Sequence, residues 1–311
     1  MSATFSADEI LYCTHGRIAA GTINDQKGRL VWDLEDVRDG DWFVALASGS
    51  HDSHDYLHMA FDLGAQGCVV NKRTRYSFAP KNRTLISVAD TAVALMQSVS
   101  YWRHLVGPIA VGVVASHGRR ATVKLLHQLL KDTFRCHIAL ESDRFGCARD
   151  VLTMPADAQV LLFEAGAVER GDVARIGAAL SPDIAVIGRT QHPIPSVGRN
   201  ALSAALYCEI LETVDLCKSG RAIVYDDSPA IAERSELLLM GLASTSYLQK
   251  SQSLQEFSES DLDRFAKFAE IATGQPVKTA EVWCALEAAR AIGLSSQQIG
   301  AAIGRTVAAY L

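Results

Sequence analysis

The stretch that most constrains this chain is Ile109-Ala-Val-Gly-Val-Val-Ala-Ser-His-Gly-Arg-Arg-Ala-Thr-Val-Lys124. Six continuous apolar residues predict a strand buried on both faces. A turn holding Ser116, His117 and Gly118 follows. Leu125, Leu126, Leu129 and Leu130 then recur at helical spacing. A strand feeding a glycine turn at a helix N-terminus is the build of a phosphate-binding loop, because it points free backbone N–H groups and the positive end of the helix dipole at an anion. The side chains do not suit that chemistry. A working loop places a Lys after the glycine to reach the β/γ-phosphates, and a Ser or Thr beside it to hold magnesium. Here Gly118 is followed by Arg119, Arg120 and Ala121. Shifting the alignment by one residue puts Arg120 at the Lys position and Ala121 at the hydroxyl, which is no better. Two readings follow: a degenerate phosphate loop comprising Ser116, His117, Gly118, Arg119 and Arg120, or a structural turn that still attracts an anion.

At 311 residues the chain has room for two domains. A net charge of −5 gives no support for a nucleic-acid-binding face. The seven cysteines are odd in number, scattered and without a CxxC pair, which argues against a disulfide framework or a zinc site. The N-terminus lacks a basic-then-apolar leader, and no apolar run approaches membrane-spanning length. The expectation is a cytoplasmic protein with no membrane span.

The fold class expected is α/β: a small N-terminal α/β domain (1–88), then a P-loop-like central domain (89–311) with a mostly parallel sheet flanked by helices. In the first, Ser6–Leu11 reads as a capped helix, Trp42–Leu46 as a buried strand, Asp55–Leu63 as a helix, and Cys68–Val70 and Thr84–Val88 as strands. In the second, a helix over 91–105 precedes strands at 109–114, 159–163, 183–187 and 221–225. Helices at 122–131, 172–180 and 200–217 alternate with them, a pattern that predicts parallel pairing. Ser244–Ser260 is polar and reads as a loop. Three helices close the chain, at 261–272, 277–292 and 295–309, with Ser295 as a cap.

The order of landmarks resembles the Mur ligase family of peptidoglycan synthesis. Asp33-Leu-Glu-Asp-Val-Arg-Asp-Gly-Asp-Trp-Phe-Val-Ala-Leu46 is similar to a family pattern D-S-R-x-V-x-P-G-D-L-F-V-A-L, and Asp52-Ser-His-Asp-Tyr56 to D-G-H-x-F. Gly64-Ala-Gln-Gly-Cys-Val-Val70 resembles the G-A-x-x-x-V-V that follows. Phe163-Glu-Ala-Gly-Ala167 resembles an E-x-G-A segment. The resemblance implies a UDP-sugar-binding first domain and an ATPase-like second one, with ATP and magnesium as cofactors. It implies metal-site roles for Glu164 and His192, nucleotide-side roles for Asp227 and Gly274, and sugar-nucleotide-side roles for Asp33, Asp52 and His54.

The residues then depart from the pattern. Leu34 and Glu35 replace the Ser-Arg that contacts the UDP portion. Tyr207 stands where the family carries a carbamoylated lysine, two residues before Glu209. Val277 and Ala280 replace the two asparagines of a G-x-x-N-x-x-N pattern beginning at Gly274. A third ligase domain would begin where Leu311 stands, and the face it would cover is an expected surface for a protein partner or self-association. The expectation is a truncated Mur-ligase-like pseudoenzyme that works by binding a protein partner or a retained nucleotide or UDP-sugar-like ligand. The alternative is an ATP-dependent carboxylate–amine ligase completed by a separately encoded domain. His51, His54 and His58 have helical metal-site spacing, set against solvent-facing histidines.

Overall fold

The computed structural model describes residues 2–23, 26–48, 51–72, 81, 83–166, 171–190, 200–214, 220–225, 229–240, 246–249 and 276–308, with further positions between 263 and 274. The chain divides into two compact units, Met1–Val106 with Leu152–Ala156, and Gly107–Val151 with Asp157–Leu311.

The first unit opens with α1 (Ala7–Thr14). Its start is a reciprocal capping box: the Glu9 N–H donates to Ser6 Oγ, and Ser6 N–H to the Glu9 carboxylate. Strands β1 (Arg17–Gly21), β2 (Leu30–Val31), β3 (Trp42–Val44), β6 (Gly67–Asn71) and β7 (Thr84–Val88) make one sheet in the order β1-β7-β6-β3-β2. All neighbours are parallel except β1, which runs antiparallel along the edge. Between them β4 (Ala47–Ser48) and β5 (His51–Asp52) form a separate two-stranded ribbon. A 3-10 turn over Ser53–Tyr56 leads into α2 (Leu57–Asp62).

Helix α3 (Thr91–Val106) belongs to this first unit, whereas the sequence reading opened the second domain at residue 89. The reason is its apolar side. Ala94, Leu95, Val99 and Trp102 are buried, the Tyr101 ring lies 6.2 Å from both Phe5 and Tyr12, and Trp102 Nε1 donates to Met154 O.

The second unit is built on a six-stranded, wholly parallel sheet. Its strands are β8 (Ile109–Val114), β9 (Cys136–Ala139), β10 (Val160–Glu164), β11 (Ile184–Ile187), β12 (Arg221–Val224) and β13 (Ser246–Gln249). They lie in the order β13-β12-β11-β8-β10-β9. Helices α4 (Arg119–Leu130), α5 (Arg144–Leu152), α6 (Asp172–Leu180), α7 (Asn200–Cys208) and α8 (Pro229–Met240) connect them, and α9 (Thr279–Ile292) and α10 (Ser296–Ala308) follow. A core cluster joins the strands to α4, α9 and α10 through Val111, Leu126, Leu162, Val186, Trp283 and Ile299. The α4 buried set of Ala121, Leu125, Leu126, Leu129 and Leu130 is the apolar side its spacing predicted.

Two expectations are corrected. Ser246–Gln249, inside the stretch read as a polar loop, is an edge strand pairing with β12. Parallel pairing uses backbone groups, so polar side chains at an edge do not forbid it. The helix expected over 200–217 ends at Cys208 and tightens into a 3-10 turn over Glu209–Thr213. Among the described residues no helix is long and apolar enough to cross a membrane.

Candidate functional site

Strand β8 lies in the interior of the sheet, flanked by β10 and β11. The connection leaving β8 runs toward one edge, to β9, and that leaving β10 runs back past β8 to β11. Ligands of open α/β sheets bind beyond the carboxyl ends of strands at such a reversal. Ala115–Gly118 and Glu164 both stand there.

Gly118 caps α4 with φ +78°, in the left-handed region where a side chain is strained. The loop is tied down on one side by β11's continuation. The Ser116 N–H donates to Arg189 O at 2.7 Å and Ser116 Oγ to the same oxygen at 2.9 Å. His117 Nδ1 lies 3.3 Å from Ser116 Oγ. The next hydroxyl in sequence, Thr122 Oγ1, is buried and donates back to Gly118 O at 3.0 Å. Neither hydroxyl is presented for a metal.

Both arginines turn inward. Arg120 Nε donates to Glu164 Oε1 at 3.1 Å, and its Nη2 to Leu140 O. Arg119 Nη1 donates to Ala115 O, and its Nε lies 3.8 Å from Glu164 Oε2. Glu164 ends β10 with a side chain 4% exposed, so both of its oxygens face guanidinium groups. Burial pushes its carboxyl above the ordinary glutamate range. The Arg120 hydrogen bond and the charges of both arginines pull the other way.

That direction fixes a sign. A raised pKa means the fold favours the protonated acid, so the contribution is complete below the ordinary value of 4.5 and is lost as pH rises through the raised one. Glu164→Gln removes the titration. In urea denaturation the stability of the variant relative to wild type is expected to climb as pH rises above the ordinary value of 4.5. A flat or falling difference would contradict this environment for Glu164.

A second ion pair, invisible at sequence level, completes the arrangement. Glu281 on the first turn of α9 is 2% exposed. Its Oε1 accepts from Arg189 Nε at 2.9 Å and lies 2.8 Å from Nη2, while its Oε2 accepts from Lys278 N–H at 2.7 Å. No spacing rule links residues 92 apart; the only local signal is a Glu in the first turn, which reads as a capping residue.

The other departures have structural occupations. Tyr207 is buried on α7; burial raises its phenol pKa, and Arg119 is near enough to oppose the shift. Glu209 accepts from Gly171 and Ala174 N–H, capping α6. Gly274 ends a helical segment at φ +65°, its N–H donating to Glu270 O. Val277 and Ala280 lie in the apolar core around α4. His192 and Asp227 lie outside the described residues.

In the first unit, the Asp52–His54 pair is internal. His54 is buried; its Nδ1 meets Asp52 Oδ1, and its Nε2 accepts from the Asn71 N–H at 2.9 Å, so Nδ1 carries the proton. Partial burial would raise the Asp52 pKa, but the His54 backbone and ring hydrogen bonds hold it below the ordinary range. Ser53, in the family's glycine position, donates to Leu46 O and accepts from Leu46 N–H. Asp33 is exposed ahead of a 3-10 turn in which Leu34 packs against the apolar core. Both ring nitrogens of His54 are committed, and among the described residues no three His, Cys, Asp or Glu side chains are placed to hold a metal ion; the His51 side chain lies outside the described residues.

The fold of this α/β chain, with a glycine-turn loop at the sheet reversal, is similar to that of Mur ligases. Among these it resembles the D-alanyl-D-alanine-adding ligases. It is 26% identical over 147 residues to UDP-N-acetylmuramoyl-tripeptide–D-alanyl-D-alanine ligase of Bacillus subtilis, covering 47% of this chain and 32% of that one. It is 26% identical over 215 residues to the enzyme of the same name from Synechocystis, covering 68% and 44%. The chain thus matches less than half the length of these relatives. The fold matches a crystal structure of MurF from Acinetobacter baumannii with a TM-score of 0.78 at 18% identity, over 97% of this chain and 67% of that one. No family model matches.

Proposed function

We propose that this chain is a Mur-ligase-like pseudoenzyme that acts by binding, to a protein partner or to a retained nucleotide or UDP-sugar-like ligand, rather than by forming amide bonds. One observation carries the reading: Arg120 and Arg119 occupy Glu164 from inside the loop. A ligase that makes an acyl-phosphate from ATP needs a carboxylate and a hydroxyl free for magnesium and a compact cation for the phosphates. Here the carboxylate faces two guanidinium groups, and both nearby hydroxyls are spent on backbone carbonyls. The planar guanidinium also demands a different approach to phosphate than an ammonium does. The residues as arranged do not fit Mg-ATP. On the side where the family reads adenine, Val277 and Ala280 offer no polar group.

The expected result is that millimolar Mg-ATP leaves the thermal unfolding of the protein unchanged. A ligand at a hundredfold excess over its Kd would stabilise the fold by about 2.7 kcal/mol, a shift that is readily measured. Phosphate release from ATP that is abolished by Glu164→Ala would sink the proposal and favour the ligase alternative.

A further inference from the structure

The carboxylate of Glu281 does more than pair with Arg189. Its Cγ, Cδ and Oε1 stand in the space that a side chain on Gly118 would fill. A buried anion from α9 is therefore pressed against a turn whose build attracts anions. It also holds the guanidinium of Arg189, the residue whose carbonyl ties down Ser116. Around this turn stand three guanidinium groups, Arg119, Arg120 and Arg189, and two buried carboxylates, Glu164 and Glu281. Glu164 is committed to the first two arginines, so Glu281 is the charge that balances the third.

We propose that Glu281 is an internal counter-anion that keeps the Ser116–Gly118 turn closed to external polyanions, an autoinhibitory contact built into α9. The proposal rests on the reading that the turn is silent in the wild-type protein and gives a cause for that silence. Removing the charge leaves three guanidinium groups facing one buried carboxylate, with Arg189 free to turn toward a ligand. Charge interactions near a protein surface are large enough for a single deletion at this distance to change anion affinity by about tenfold or more.

The test uses inorganic tripolyphosphate as the probe, followed by titration calorimetry at low ionic strength. It compares wild type, Glu281→Gln, Glu281→Asp and Glu287→Gln. The Glu287 variant removes one negative charge from the same helix at a carboxylate paired with Arg290 instead of the loop. Glu281→Gln is expected to bind at least about tenfold more tightly than wild type, with the gain shrinking as salt is added. Glu281→Asp, whose shorter side chain withdraws from Gly118 while keeping its charge, is expected to lie between. Glu287→Gln should match wild type. Equal affinity in wild type and both Glu281 variants, with the circular dichroism of the fold retained, overturns the proposal, as does an equal gain in Glu287→Gln. If Glu281→Gln does not fold, the Asp variant decides alone. Magnesium-dependent ATP turnover by wild type would instead overturn the silent-loop reading, while the ratio between Glu281→Gln and wild type would still judge the counter-anion separately.

Discussion

Replacing Trp42 with alanine is expected to destabilise the first unit by about 3–5 kcal/mol, the range for deleting a fully buried large aromatic side chain. Trp42 is 1% exposed and sits on β3, hydrogen-bonded on both sides to β2 and β6. Its ring lies over Gly67, where a Cβ would strike the indole; the two residues are direct cross-strand partners. The glycine is thus a space made for the tryptophan. Indole Nε1 donates to Phe5 O at 3.0 Å, fastening the segment before α1 to the sheet. Alanine leaves a void and removes one of the two hydrogen bonds to Phe5 O, which keeps the Gly28 N–H at 3.0 Å. Trp42→Phe separates the two effects, keeping much of the ring and losing only the donor, for a cost of about 0.5–1.5 kcal/mol because Phe5 O keeps its second partner. Urea denaturation followed by far-ultraviolet circular dichroism measures both. A loss under about 1 kcal/mol for the alanine variant would show that the void collapses and that the Trp42–Gly67 fit is not what holds this sheet.

The same residues show what was legible beforehand. Trp42-Phe-Val is a short apolar run after an Asp-Gly turn, and such runs announce buried strands, as do Ile109–Val114 and Val160–Phe163. The glycine turn at Gly118 and the leucine spacing of α4 were likewise local signals. What escaped is non-local or carried by the backbone. The edge strand β1 has side chains that are mostly exposed, so no apolar pattern marks it, and β13 hides within a polar segment. His54 looked like a substrate-side or metal-site residue because sequence cannot say that its second nitrogen meets the Asn71 N–H, 17 residues on. The site was half readable. Arg119, Arg120 and Glu164 could each be named, but their pairing joins β10 to α4 across 44 residues. The Arg189–Glu281 pair gave no warning at all.

That pairing makes the second large effect a repair experiment. In the Glu281→Gln background, which lifts the contact at Gly118, rewriting Arg119 as Lys and Arg120 as Thr is expected to give a loop that binds Mg-ATP. Three changes act together. Arg120→Thr removes the donor at 3.1 Å from Glu164 Oε1, releasing a buried carboxylate for a cation, and supplies a hydroxyl one residue after the cation position. Arg119→Lys exchanges a fork now spent on Ala115 O for a compact ammonium at the start of α4. Glu164, left buried without its arginine partner, becomes more costly to keep ionised, so a bound divalent cation should raise stability more than it does in wild type. The expected reading is a magnesium-dependent rise in melting temperature with millimolar ATP in the double variant, absent from wild type and from the double variant carrying Glu164→Ala. Binding is not expected to restore ligation. Tyr207 cannot form a carbamate, and Val277 and Ala280 remain part of the apolar core. A double variant that folds yet shows no magnesium-dependent response would mean that the arginine–glutamate pairing is not what closes the loop.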